Sequence, residues 1–231
     1  MIIPSACSPD AETRRRHWDL AMRLPLILYY GWRSVNESAA LVREALGRDW
    51  SGATPAVVAN FLANVTLTLF MASVVLAVAL RFRRIGAADG PYPRLVALFG
   101  TFILLATPAL PRPILAPALE LAAAALMLLG YGLSLLVMWR LGRSFSVMPE
   151  ARRLVTGGPY RLVRHPLYVT EEIAIIGLFL IYASLPALLL FGLHGVLQLE
   201  RMRLEERVLA GAFPEYRDYA AKTARLIPGL Y

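Results

Sequence analysis

Long uncharged stretches alternate with short arginine-bearing ones along this chain. Residues 55–80, "PAVVANFLANVTLTLFMASVVLAVAL", carry no charge. A helix needs about 20 apolar residues to cross the hydrocarbon, so this stretch predicts a transmembrane helix. Residues 95–111, "LVALFGTFILLATPALP", are uncharged and run into a proline-rich turn, "PRP", that reverses the chain. Residues 114–139 predict a third span, with Glu120 near its start and Trp139 at its far end, where an indole suits the membrane interface.

The next apolar block, residues 173–199, is uncharged throughout and fits either one long span or a hairpin of two short ones. With a turn near "YASLP", legs at residues 167–184 and 185–203 have about 18 or 19 residues each, inside the usual range of about 17 to 25. Arginine placement favours the hairpin. If Arg81, Arg83, Arg84 and Arg94 lie in the cytoplasm, Arg112 falls outside, and Arg140, Arg143, Arg152, Arg153, Arg161 and Arg164 return inside. A hairpin then keeps Arg201, Arg203, Arg207, Arg217, Lys222 and Arg225 inside too, as the positive-inside rule requires. A single span would strand that basic tail on the other face.

Residues 24–32, "LPLILYYGW", are too few to cross unaided, and fit either a tilted first helix beginning near Trp18 or an interfacial helix. Residues 36–52 read as a polar loop or surface helix. The expected organisation is an N-terminal segment over residues 1–52 and a transmembrane core over 53–231. The fold class that follows is all-α: a polytopic transmembrane helical bundle of about five spans, with a C-terminal helical hairpin. Arg14, Arg15 and Arg16 precede only a short apolar run without a small-residue cleavage site, so internal segments are expected to direct insertion.

Composition agrees. The hydrophobic share is 58%, above the roughly 45 to 50% of soluble domains. The net charge is +8, from 24 basic and 16 acidic residues, and Lys222 is the sole lysine. So strong an arginine bias, with so much Ala and Leu, reads as GC-rich coding and points to a bacterial inner membrane. The arginines flank apolar segments, where topology already accounts for them, so nucleic acid is not an expected partner; the lipid bilayer is. Cys7 is alone and reads as part of a tail, without a disulfide or a cysteine metal site. No GxGxxG after a strand, P-loop or HExxH occurs, and no metal ligand set is expected. "GYG" at 130–132 falls within a span, where glycine serves close helix packing more often than nucleotide contact.

Two charged stretches remain. In "GPYRLVRHPLY", residues 158–168, Gly157, Gly158 and Pro159 break the chain, and Pro166 suits the first turn of the helix that follows. His165, Arg161 and Arg164 would then stand at the positive end of that helix, a place that attracts a carboxylate or phosphate. Anchoring by positive charge explains the arginines equally well, but not the histidine and tyrosines at this spacing. In "ERMRLEERVLAGAFPEYRDYAAKTARLIP", residues 200–228, Arg201 and Glu205 share a helix face and suit an intrahelical ion pair. Glu206 reads as solvated, and Tyr216 and Tyr219 as a surface or interface pair.

"LVTGGPYRLVRHPLYV" followed by "EERVLAGAFPEYRDYAAKTARLIP" resembles the isoprenylcysteine carboxyl methyltransferase family and the related phospholipid N-methyltransferases. The resemblance covers roughly residues 140–228, with motifs at 152–172 and 200–228, and is slight over the first 110 residues. It implies an integral membrane enzyme that binds S-adenosylmethionine at the cytoplasmic mouth of its helices and methylates an amphiphilic small molecule or lipid from the bilayer. By position it implies a cofactor shell of Leu154, Val155, Tyr160, Arg164, His165, Pro166, Leu167, Tyr168 and Glu205, with Arg201 and Glu205 as the catalytic pair. Thr170 stands where relatives usually have a small residue, and Glu171 and Glu172 follow it.

The activated methyl of a sulfonium needs neither a metal nor a covalent nucleophile, only alignment and exclusion of water. On this reading Arg164 and His165 hold the cofactor's carboxylate, Glu205 takes hydrogen bonds from its ribose or amino group, and Leu154, Val155, Leu167 and Tyr168 wall the adenine. A carboxylate acceptor would be oriented by Arg201; an amine acceptor would lose a proton to Glu171, Glu172 or water. Two other readings stay open: a membrane-embedded NADPH-dependent reductase of the sterol reductase type, and a non-enzymatic transport or scaffold protein.

Overall fold

The computed structural model describes the backbone of residues 9–229 and the side chains of residues 23–229. Cys7 lies outside the described residues. Among them, seven α-helices follow in order: α1 (Pro9–Gly47), α2 (Pro55–Leu80), α3 (Tyr92–Phe102), α4 (Pro117–Leu141), α5 (Pro166–Ile181), α6 (Leu185–Ala212) and α7 (Tyr216–Lys222). Two-residue strands β1 (Gly86–Ala87) and β2 (Glu150–Ala151) pair antiparallel.

Local chemistry sets the boundaries. Thr54 caps α2 by accepting from the Val57 amide, with Pro55 in the first turn, and Ser184 does the same for α6 through Ala187. Pro166 opens α5, where its missing N–H would have had no partner. The turn at Tyr182–Ser184 produces the expected C-terminal hairpin, though with unequal legs: α5 stops at Ile181, and α6 continues past Arg203 to Ala212.

Three helical stretches are long and apolar enough to cross a membrane: Pro55–Leu80, Tyr92–Ala109 and Pro117–Ser144. The second is composite, because α3 tightens into a 3-10 helix over Ile103–Ala109. The reading of about five spans is therefore met in three by length and composition. The 16 residues of α5 are few, and His194, Gln198, Glu200 and Arg201 interrupt the apolar face of α6. Residues 18–32 are neither a separate span nor a separate interfacial helix. They belong to α1, one helix that continues through residue 47, so of the two readings of residues 36–52, loop or surface helix, the helix is the one found as far as residue 47.

Helix α4 is the hub, with α2 and α5 on its flanks, while α6 lies along α3. The α4–α5 contact is backbone to backbone. A Cβ on Gly130 would lie 2.4 Å from the Ala174 amide nitrogen, and one on Gly177 would lie 2.5 Å from the Ala123 carbonyl oxygen. Small residues let membrane helices approach this closely, so the packing role expected for "GYG" belongs to Gly130. Ser134 and Thr170 bond each other at 2.9 Å in the same interface. Leu26 of α1 joins Phe70, Val74 and Val78 of α2, Val137 of α4 and Leu167 of α5 in one core.

Legs α5 and α6 touch each other far less than they touch α4 and α3. The hairpin is thus splayed, which opens space between its legs. At the arginine-rich end, the loops are tied together by Arg143, whose Nε donates to the Leu80 carbonyl at 2.6 Å, and by Glu150, which pairs with Arg152 at 2.6 Å and Arg84 at 3.4 Å. Several arginines that topology explains are therefore also structural ties. Trp139, at the same end of α4, is 87% exposed, as an interfacial indole would be.

Candidate active site

The segment before α5 is a sequence of turns. Gly158 adopts φ 62°, a short 3-10 helix covers Gly158–Arg161, and His165, kept out of the helical region by the proline after it, is the N-cap of α5 at φ −125° and ψ 58°. The C-terminal segment lies against this turn. Arg164 N donates to the Ala224 carbonyl at 2.8 Å and His165 N to the Arg225 carbonyl at 3.2 Å. From α7, the Tyr219 hydroxyl donates to the Tyr160 carbonyl at 2.6 Å. Tyr216 is buried and stands edge-on to Tyr219, so these tyrosines cover the site and are not a surface pair.

Glu206 overturns the expectation of a solvated carboxylate. It is buried, 3.1 Å from His165 Nε2 and 3.1 Å from Arg164, and it receives the Arg225 guanidinium at 3.0 and 2.6 Å. Burial alone would raise its carboxyl; the bonds from His165 and Arg225 and the charge of Arg164 prevail and lower it to about 2. Burial, then nearby carboxylate charge, pushes Tyr160 and Tyr216 above the usual phenol range. Glu206 sits beyond the apolar part of α6 and joins three segments remote in sequence.

Glu205, the neighbouring carboxylate, turns the other way and accepts from the Tyr168 hydroxyl. No ion pair joins it to Arg201 among the described residues, against the expected intrahelical pair. Arg201 instead donates to Gln198 Oε1 at 2.8 Å and to the Val147 carbonyl at 3.2 Å, and its guanidinium lies 5.3 Å from the centre of the Tyr168 ring. Gly100 of α3 makes room for it: a Cβ there would lie 2.7 Å from Arg201 Cδ.

These groups line one cavity of about 400 Å³ bordered by residues of all seven helices, within the range of small-molecule sites, about 300 to 1,000 Å³. Leu154, Val155, Tyr160, Arg164, His165, Leu167, Tyr168, Arg201 and Glu205 all face it. Pro166 does not; it is buried and shapes the turn. Arg161 is exposed and stands apart from the cavity, so the expected grouping of Arg161, Arg164 and His165 reduces to the last two.

The cavity also reaches residues that were not anticipated. Tyr30 and Arg33 enter from α1, Phe70 and Met71 from α2, and His194 and Gln198 from α6. The first two pairs left no signal, because their place depends on how distant helices pack. The last pair did: His194, Gln198, Arg201 and Glu205 recur at helical spacing and make a polar stripe down one face of an otherwise apolar helix. Buried nitrogens remain without protein partners around the cavity, among them Arg164 Nε, Arg201 Nε and His194 Nδ1.

Residues 119–216 match the phospholipid methyltransferase family. This segment runs from the first turn of α4 to the first residue of α7 and contains every cavity residue contributed by α5 and α6. The chain is also similar to the cobalt-zinc-cadmium resistance protein CzcN of Cupriavidus metallidurans, 44% identical over 78 residues, which is 33% of this chain and 36% of CzcN. The nickel-cobalt-cadmium resistance protein NccN of Alcaligenes xylosoxydans xylosoxydans is 37% identical over 82 residues, 35% of this chain and 38% of NccN. The matched region thus spans little more than a third of either relative.

Proposed function

We propose that the chain is an integral membrane methyltransferase that uses S-adenosylmethionine and methylates an amphiphile entering from the bilayer. The observation that carries this reading is the cavity. It joins a turn of buried charge and aromatic rings, at the arginine-rich end, to an apolar chamber walled by Leu67, Phe70 and Met71 between membrane-length helices. Such a shape suits two ligands meeting end to end, one polar and one greasy.

The residues present fit S-adenosylmethionine. Arg164 and His165 would hold its carboxylate, with Glu206 fixing both side chains in place. Leu154, Val155, Leu167 and Tyr168 would enclose the adenine, and Glu205 would take hydrogen bonds from the ribose or amino group. When bound, the cofactor supplies a methyl group already activated on a positively charged sulfur. The protein aligns the acceptor with that methyl and excludes water; Arg201, beyond Tyr168, would orient a carboxylate acceptor. In this reading α2 to α6 make five crossings, with α5 and α6 as the last two. The site and C-terminus face the cytoplasm of a bacterial inner membrane, and the acceptor presents a carboxylate or an amine.

The test is calorimetry on the purified full chain. Wild type is expected to bind S-adenosylmethionine, and His165→Ala to lose that binding while retaining its helical circular dichroism. Unchanged affinity in His165→Ala would remove the site assignment. Binding of NADPH in place of S-adenosylmethionine by wild type would replace the reading with a reductase.

A further inference from the structure

Glu172 and His194 face each other across the splayed hairpin, with His194 Nε2 3.0 Å from Glu172 Oε1. His194 is 3% exposed and lines the cavity, and its other ring nitrogen, Nδ1, is buried without a partner. A carboxylate can only accept, so the nitrogen that faces Glu172 carries the ring proton. That leaves Nδ1 as a buried lone pair without a protein partner, on a residue that lines the cavity.

We propose that His194 takes the proton from the methyl acceptor and that Glu172 is its positioning residue. The inference rests on the methyltransferase reading and narrows it: the acceptor reaches the site as a protonated amine. His194 lies seven residues before Arg201 on the same helical stripe, about 10 Å at 1.5 Å per residue. It therefore belongs to the acceptor's half of the cavity, away from the turn at His165. The other ionisable side chains lining that half are Glu171 of α5, Arg201 of α6, Tyr29, Tyr30 and Arg33 of α1 and Tyr131 of α4. Glu171 has no hydrogen-bond partner among the described residues. With Arg33 already paired to Glu37 at 2.5 Å, Glu171 and the adjacent Glu172 stand against Arg201, a balance that suits an ammonium group over an acid.

The step balances. The ammonium nitrogen gives one proton to His194 Nδ1, and the imidazolium that results is held by the Glu172 carboxylate. The freed lone pair forms the new N–C bond as the C–S bond of the methyl donor breaks, and the sulfur keeps that electron pair. The methylated product leaves as an ammonium, and His194 later passes its proton to water. A carboxylate acceptor, already ionised, would have no use for this dyad.

Nitrogen-15 NMR of the histidine-labelled full chain in detergent reads the ring without any substrate, and the chain has 3 histidines to resolve. The expected signature for His194 is a protonated Nε2 and a bare Nδ1, lost in Glu172→Gln; a protonated Nδ1 in wild type overturns the proposal. The second arm uses tetradecylamine and myristate in mixed micelles as probe acceptors, with tritiated S-adenosylmethionine. Transfer to the amine should fall about 100-fold in kcat in His194→Gln, with donor affinity by calorimetry unchanged and the loss partly recovered at high pH. Transfer to myristate and not the amine, or equal kcat in His194→Gln and wild type, overturns the proposal while leaving the methyltransferase reading intact. Failure of wild type to bind S-adenosylmethionine takes down both.

Discussion

Replacing Glu206 with Gln keeps the shape of the side chain and removes its charge from the cluster of Arg164, His165 and Arg225. The lowered carboxyl sets the magnitude. A fall from 4.5 to about 2, at about 1.4 kcal/mol per pH unit, amounts to about 3 kcal/mol of stability. Breaking a buried ion pair by removing one partner costs about 3 to 5 kcal/mol, a separate route to the same figure. Because the folded carboxyl is the stronger acid, its contribution is complete above pH 4.5 and is lost as the pH falls towards about 2. Unfolding in detergent micelles by increasing SDS, followed by circular dichroism, measures the difference. Glu206→Gln is expected to be less stable than wild type by about 3 kcal/mol at neutral pH, with the gap closing between pH 4.5 and about 2. A gap below about 1 kcal/mol, or one that does not change with pH, would refute the reasoning, since a surface pair gives no more than that.

Other outcomes follow from the same geometry. Gly130→Val should destabilise by about 1 to 3 kcal/mol or fail to fold, because its Cβ meets the α5 backbone. Gly132→Ala, with nothing near its added carbon, should be neutral or stabilising by up to about 1 kcal/mol in the same SDS titration. Deleting residues 223–231 removes the carbonyls that hold Arg164 and His165 and the guanidinium on Glu206, and should weaken S-adenosylmethionine binding at least about tenfold by calorimetry. Tags after Tyr231 and in the 86–91 loop should report the same membrane face, since β1 and the end of α6 meet beside Gly86 and Ala212; opposite faces would disprove the hairpin topology.

The turns of the C-terminal motif were legible because their chemistry is local. Gly157, Gly158, Pro159 and Pro166 force turns wherever they occur, so the 3-10 helix and the start of α5 follow from residue types alone. The fate of the two adjacent carboxylates was not legible. Glu205 and Glu206 are successive residues about 100° apart around a helix, so one meets Tyr168 and the other meets His165, Arg164 and Arg225. Which of them was buried in charge depended on where the C-terminal segment returned. The ion pair expected between Arg201 and Glu205 failed for a related reason: Gln198 and the Val147 carbonyl offer the guanidinium a better-enclosed place.

Uncharged length and arginine placement determined that this is a helical membrane protein whose last apolar block doubles back, because the cost of charge and unpaired backbone in hydrocarbon acts on each segment separately. The splay of α5 from α6, the entry of Tyr30 from a helix far along the chain, and the meeting of Glu172 with His194 were decided only by tertiary packing. The close fit at Gly130 and Gly177 holds α5 against α4, while α6 lies along α3. No spacing within a single segment encodes the distance between two helices that a third holds apart.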